Sequence, residues 1–184
     1  MLFRSDQIIK DQLKEGGVEL AHSQPVGREY YMPHRAVIKE SAKTTKLRVA
    51  YDCSARGEKG SPSLNDCLEP RPALQNKLWD VLVCGRFHSM ALTGDMQKAF
   101  LQVRIREEER DALRFFWLKD LDSGEVQILR FTRALFGLAP SPFLLGGVVE
   151  QHLESWNDSL NDSVAEILRS LYVDDLISGG PTVP

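Results

Sequence analysis

The chain has 184 residues, 42% hydrophobic and 27% charged, with 13 glycines, nine prolines and a formal charge of −3. That profile suits one globular domain, or one domain with a small lobe, and excludes collagen-like, disulfide-scaffold and wholly disordered classes, whose compositions deviate far more. The three cysteines, Cys53, Cys67 and Cys84, form no Cys-x-x-Cys pair, so a reducing compartment fits and neither zinc nor dithiol chemistry is indicated.

In chain order, Ser5-Asp6 offers an N-cap, Ile8, Ile9 and Leu13 an apolar stripe, and Gly16-Gly17 a stop, which predicts a helix over 6–15. Residues 30–39 and 45–52 are rich in β-formers and read as a hairpin. Its second strand alternates Leu47, Val49 and Tyr51 with Lys46, Arg48 and Ala50, placing Lys46 and Arg48 on one face. Residues 56–72 have the composition of a loop, after which Pro72 opens a helix with a core face of Leu74, Leu78 and Val81 or Leu82. A short β-run over 89–93 ends at Gly94-Asp95. Residues 113–118 and 125–131 predict a second strand pair, and Pro142 opens an apolar helix to about Trp156.

Ser163-Val-Ala-Glu166 matches a capping box and predicts a short helical turn. Beyond it, Leu171-Tyr172-Val173 and Leu176-Ile177 flank Asp174-Asp175, which reads as a hairpin with the two acids at its tip. Hairpins and helices without βαβ alternation predict an α+β fold, its helices packed on one face of an antiparallel sheet. Residues 134–149 are uncharged but too short and too rich in proline and glycine to cross a bilayer, and the N-terminus lacks the apolar run of a secretory signal.

The net charge conceals two opposed fields. Residues 35–60 carry +4, from Arg35, Lys39, Lys43, Lys46, Arg48, Arg56 and Lys59 against Glu40, Asp52 and Glu58. Residues 150–184 carry −6, with Arg169 the sole cation. Within that acidic stretch, Asp174-Asp175 sets two like charges side by side amid apolar residues, which is costly without a compensating cation. An Asp-Asp dipeptide is ordinarily a polar turn. A second strand-end acid, Asp95, changes the weighing: if its strand lies beside the 171–177 hairpin, three carboxylates converge and supply the hard oxygen donors that suit two magnesium ions in phosphoryl transfer.

Tyr172-Val-Asp-Asp175 resembles the Tyr-x-Asp-Asp signature of reverse transcriptases. Further blocks follow in the family's order: Lys46-Leu-Arg-Val-Ala-Tyr-Asp-Cys-Ser-Ala55, Ser63-Leu-Asn-Asp66, Leu92-Thr-Gly-Asp-Met-Gln-Lys-Ala-Phe100 and Phe136-Gly-Leu-Ala-Pro-Ser-Pro-Phe143. With Tyr31-Met-Pro-His-Arg-Ala-Val-Ile38, this wording is similar to the polymerases of Pao/BEL-type LTR retrotransposons of animals, over roughly residues 28–180.

The resemblance implies the fingers and palm of a right-hand polymerase: a lead-in over 1–27, fingers over 28–88 and 101–135, and palm over 89–100 and 136–184. Thumb, RNase H, protease and integrase would belong to the rest of the polyprotein. Asp95, Asp174 and Asp175 match the catalytic aspartates that hold two Mg²⁺, with Mn²⁺ a substitute. Arg48 matches the fingers arginine on the incoming triphosphate, where a guanidinium suits the fork geometry of phosphate oxygens. Lys46 shares its face as the triphosphate lysine, though Lys43 or Lys39 would serve equally. Phe100 matches the aromatic gate against a 2′-hydroxyl, Phe136 and Gly137 the segment over the incoming nucleotide, and Tyr172 a neighbour of the primer terminus.

The implied partners are an RNA or DNA template with a DNA primer and dNTPs, with no membrane, and the implied location is the cytoplasm, including retrotransposon particles. Residue by residue, plainer readings stand beside these. Phe100 also reads as a core aromatic and Arg48 as a surface strand residue. For the whole chain, the alternative is a catalytically inactive, truncated retroelement remnant with residual nucleic-acid binding.

Overall fold

The computed structural model describes residues 2–38, 47–72, 74–120 and 123–181. In chain order these form α1 (Leu2–Lys14), β1 (Val18–Leu20), β2 (His34–Ile38), β3 (Leu47–Tyr51), α2 (Leu64–Cys67), α3 (Leu78–Gly85), β4 (Met90–Asp95) and α4 (Ala99–Gln102). A 3-10 helix (Glu107–Leu113), β5 (Arg114–Leu118), β6 (Val126–Phe131), α5 (Ser141–Glu154), α6 (Asn157–Ser170), β7 (Leu171–Tyr172) and β8 (Asp175–Gly180) complete them. The fold is α+β, with its strands divided among three antiparallel sheets. Among the described residues no helix is long and apolar enough to cross a membrane.

The chain passes three times between two compact units. The first comprises Met1–Glu69 and Arg104–Ala139, the second Pro70–Val103 and Pro140–Pro184. In the first, β6 lies between β1 and β5, pairing Val18 with Phe131 and Phe115 with Leu129. The β2–β3 ribbon pairs His34 with Tyr51 and Val37 with Arg48. Alternation turns Tyr51 inward, where its ring meets Phe115 and Phe131 at centroid distances of 5.1 and 4.8 Å. His34 joins the same cluster against Trp117. Burial of its ring lowers its pKa and keeps the imidazole neutral.

Beneath this aromatic layer lies a charged one. Asp111, Arg114 and Arg130 are all at most 1% exposed. One Asp111 carboxylate oxygen accepts from Arg114 Nη2 at 2.8 Å and from Arg130 Nη1 at 2.9 Å, and the other from the Val26 N–H at 2.7 Å. Arg130 Nε also donates to Glu19 at 2.7 Å, so each buried charge has a partner. Burial alone would raise the Asp111 pKa, but the Val26 N–H and the two guanidiniums outweigh it and hold the carboxyl well below the usual range.

Several boundaries differ from the sequence reading. Helix α1 begins at Leu2, because nothing in its first turn breaks it; Ser5 is buried inside it, and Asp6 pairs with Lys10 at 2.6 Å instead of standing at the cap. The loop over 56–72 contains α2, closed by a box in which Ser63 Oγ accepts from the Asp66 N–H and Asp66 accepts from the Ser63 N–H. Pro72 opens no helix: Lys77 is still extended and α3 starts at Leu78. Of its expected core face only Val81 is buried, while Leu74, Leu78 and Leu82 are exposed. Ser163 caps nothing, since α6 is already helical from Asn157. The antiparallel pairs of 34–38 with 47–51 and of 114–118 with 126–131 form as expected, and the helix expected from Pro142 to about Trp156 runs over Ser141–Glu154.

Candidate functional site

The second unit is organised around a sheet in which β8 runs antiparallel between β4 and β7. Its register pairs Asp95 with Asp175 and Asp175 with Tyr172. Cross-strand partners share a face, so Asp95, Asp175 and Tyr172 form one row across three strands. The next row, Gly94, Leu176 and Leu171, points to the opposite face, and its two leucines line a cavity together with residues of α5 and α6. The strand ending at Asp95 therefore does lie beside the 171–177 hairpin.

The hairpin differs from expectation in one respect that bears on the site. Its two central residues are Val173 and Asp174, and Asp175 is already the first residue of β8. The turn starts one residue earlier than the sequence suggested because Tyr172 and Asp175 close the ladder. Val173 carries a φ of +59° and Asp174 does not, the φ pattern of a II′ turn, which ordinarily puts glycine first. A left-handed backbone at a β-branched residue costs about 1–2 kcal/mol. Such strain concentrates where a site needs a particular shape.

Surrounding contacts hold the hairpin in that shape. The Met96 N–H donates to the Asp174 carbonyl at 2.9 Å, tying the segment after β4 to the turn. Asn76 Nδ2 donates to the carbonyls of Leu168 and Leu171 at 2.6 and 2.8 Å, where α6 ends and β7 begins. On β8, the buried Ser178 hydroxyl donates to Glu166 at 2.7 Å, and Ser170 to the same oxygen at 2.9 Å. Those hydroxyls, with Arg169, hold the Glu166 carboxyl below the usual range.

Asp95 and Asp175 are exposed and Asp174 half-buried. Among the described residues none of the three makes an ion pair. Two carboxylates directly opposite on neighbouring strands repel, so the row disfavours its own sheet unless a cation joins it. Among the described residues no three His, Cys, Asp or Glu side chains are grouped closely enough to hold a metal ion. The row brings together a pair of acids, with the third in the adjoining turn. Phe100, in α4, is buried, with 5% of its surface exposed.

The remaining candidates belong to the first unit. Arg48 is exposed on β3, on the face opposite Tyr51. Lys46, Lys43 and Lys39 lie outside the described residues. Phe136 is 63% exposed, and Gly137 has a φ of +89°, a conformation that glycine adopts freely. Asn65 fixes this segment: its Nδ2 donates to the Gly137 carbonyl at 2.8 Å and its Oδ1 accepts from the Ala139 N–H at 2.9 Å. Asn65 lies in the Ser63-Leu-Asn-Asp66 block, and its signal in the sequence is the capped turn at Ser63. Asn76 has no local signal, since its partners lie 92 and 95 residues away, and of the Asp111 network only Arg114 is near in sequence, with Arg130 and Val26 lying 19 and 85 residues away.

A scan against protein-family models finds no match for this chain, and a search of the curated proteins finds no relative.

Proposed function

We propose that this chain carries the fingers and palm of a reverse transcriptase of the Pao/BEL retrotransposon type, and that its reaction is template-directed addition of dNMP to a primer 3′ end. The observation that carries the reading is the register that sets Asp95 opposite Asp175, with Asp174 in the strained turn between β7 and β8. Two strand-end acids distant in sequence and apposed without a counter-charge are what a cation-dependent phosphoryl-transfer site requires, and an ordinary polar turn does not need the second acid.

In this reading the palm comprises 89–100 and 136–184 and the fingers 28–88 and 101–135. The carboxylates of Asp95, Asp174 and Asp175 are hard oxygen donors of the type magnesium takes, and they would hold it with substrate phosphates and water completing its shell. Bound there, magnesium would supply activation of the primer hydroxyl and neutralisation of charge on the triphosphate. Tyr172, on the same row as Asp175, is assigned to the primer terminus. Arg48 is assigned to the triphosphate, with Lys46 as its companion cation. Phe136 and Gly137 are assigned to the face of the incoming nucleotide, and Phe100 to exclusion of a 2′-hydroxyl. The partners are a primer-template, recognised through backbone and shape, and dNTPs.

The test is Mg²⁺-dependent extension of a DNA primer on an RNA template by the full chain, with Asp174→Asn as control. Extension by the parent and its loss in Asp174→Asn is the expected result. Extension that survives the substitution would overturn the metal site, and no extension by the parent would favour a non-catalytic remnant. Arg48→Ala should raise the KM for dNTP while leaving the fold unchanged.

A further inference from the structure

In the second unit β4 is an edge strand: β8 lies on one side of it, and among the described residues no segment pairs with the other. The ladder decides where its backbone groups point. Opposed residues of an antiparallel pair alternate between exchanging both hydrogen bonds and exchanging none. Met96 stands opposite Asp174 when the register is continued, and its N–H donates to the Asp174 carbonyl at 2.9 Å. By alternation Gly94, Leu92 and Met90 also bond to β8, while the N–H and C=O groups of Ala91, Thr93 and Asp95 point away from it, to the open edge. The hairpin agrees, since Tyr172 and Asp175 close it, which turns the Asp175 backbone toward β7 and away from Asp95. Sheet edges are ordinarily blunted by lysine, proline or a bulge. β4 has none of these: Met-Ala-Leu-Thr-Gly-Asp pairs with β8 without interruption, and all six residues are exposed, Met90 to 46% and Leu92 to 59%.

We propose that this edge is the interface of a weak two-fold dimer, in which the β4 strands of two copies of the chain pair antiparallel and join their three-stranded sheets into one. Of the symmetric registers, the one centred on Thr93 uses all three outward residues. Thr93 meets Thr93 of the second copy and Ala91 meets its Asp95, for about six main-chain hydrogen bonds. Opposed threonines are favourable cross-strand partners. The same register sets the exposed Leu92 beside Gly94 of the second copy, which has no side chain to obstruct it. The two Asp95 residues then lie about 14 Å apart along the strands, beyond the screening length of about 8 Å at physiological salt. A parallel pairing in register would instead stack one Asp95 on the other. A second copy is thus the partner this edge fits, because the edge is complementary to itself. An edge about 20 Å long buries less than the roughly 1,000 Å² of a stable interface, so the association is weak and reversible. It involves the second unit alone and is independent of the reaction proposed above.

The experiment is sedimentation velocity of the full chain over a low- to high-micromolar concentration series, where a monomer–dimer equilibrium is expected. Thr93→Pro removes the central outward N–H and leaves the bonds to β8 intact, so it should weaken dimerisation about tenfold or more while circular dichroism stays that of the parent. Thr93→Lys sets like charges directly opposite each other and should act in the same direction, with partial recovery in high salt; it serves where the proline variant does not fold. With the exposed thiols removed by Cys67→Ser and Cys84→Ser, Thr93→Cys should give an intermolecular disulfide on mild oxidation. Opposed bonded residues lie about 5.5 Å apart at Cα, within disulfide reach. Ala91→Cys, whose two copies stand about 14 Å apart, should not cross-link. A chain that stays monomeric throughout the series, or a dimer indifferent to both Thr93→Pro and Thr93→Lys, would overturn the interface. Cross-linking as efficient through Ala91→Cys as through Thr93→Cys would overturn its register.

Discussion

Asp95 and Asp175 face each other across the β4–β8 ladder, the last residue of one strand against the first of the other. Like charges so placed destabilise a sheet by a few tenths of a kcal/mol to about 1 kcal/mol. In metal-free buffer Asp95→Asn is therefore expected to leave stability unchanged or raise it by about 0.5 kcal/mol. Magnesium should reverse the ranking. At a tenfold excess over its dissociation constant a bound ion stabilises the parent by about 1.4 kcal/mol, and the variant should lose most of that gain. Urea unfolding with and without Mg²⁺ measures both. A variant that is less stable than the parent without metal and gains equally with it would contradict the assigned role of the pair.

Val173 gives a test of the turn that separates backbone from side chain. In a regular strand glycine is less stable than alanine by about 0.5–1 kcal/mol. At a φ of +59° the order should invert, because alanine keeps the Cβ that crowds a left-handed backbone and glycine does not. Val173→Gly is expected to be more stable than Val173→Ala by about 1 kcal/mol. Both lose the same half-buried valine methyls, so that loss cancels in the comparison. Primer extension by the two variants then reports whether the strained geometry or the side chain matters to the reaction.

What the sequence disclosed and what it withheld follow the range of the interactions. The pairings of 34–38 with 47–51 and of 114–118 with 126–131 are readable because strand alternation is a local feature. So is the acid at the end of β4, placed by a run of β-formers ending in Gly94-Asp95. The turn position was misread by one residue: Val173 is a strand former by propensity, and only the Tyr172–Asp175 pairing puts it into a conformation that its side chain disfavours. Helix α3 begins later than the sequence predicts, since the apolar spacing of Leu74 and Leu78 imitates a core face, yet both remain exposed. No local pattern could show that Asp111 is enclosed, because its enclosure depends on Val26 and Arg130 arriving from distant segments.

Asn76 is an example of such a long-range contact with a measurable consequence. Its side-chain amide satisfies two carbonyls at the junction of α6 and β7, those of Leu168 and Leu171, the latter next to Tyr172. Removing it leaves both part-buried acceptors to find water, at a cost of about 1–3 kcal/mol. Asn76→Ala should show that loss in urea unfolding, together with faster hydrogen exchange in β7 and the turn than in β4. Asn76→Asp should be at least as damaging, since a carboxylate offers no donor to either carbonyl. Exchange that rises uniformly through the second unit would argue against a local brace.

Asp111 sets the acid limit of the first unit. Its pKa is depressed in the folded state relative to the unfolded chain, so its contribution is present above the unfolded value of about 3.9 and is lost as pH falls from there toward the folded value. Stability of this unit should therefore be flat from pH 7 to about 5 as far as Asp111 is concerned, and decline below about pH 4. Asp111→Asn strands Arg114 and Arg130, each 1% exposed, beside a neutral amide. Breaking a buried pair in this way costs about 3–5 kcal/mol, a large share of a domain's total stability. The variant should be much weaker than the parent at pH 7, and the gap between them should narrow at pH 3, where the carboxyl of the unfolded parent takes up a proton and that of the folded parent does not. Urea midpoints at the two pH values, followed by the fluorescence of Trp117 in the aromatic layer above the network, test the sign directly: a gap that widens on acidification would mean that Asp111 is not the ionised partner of the two arginines.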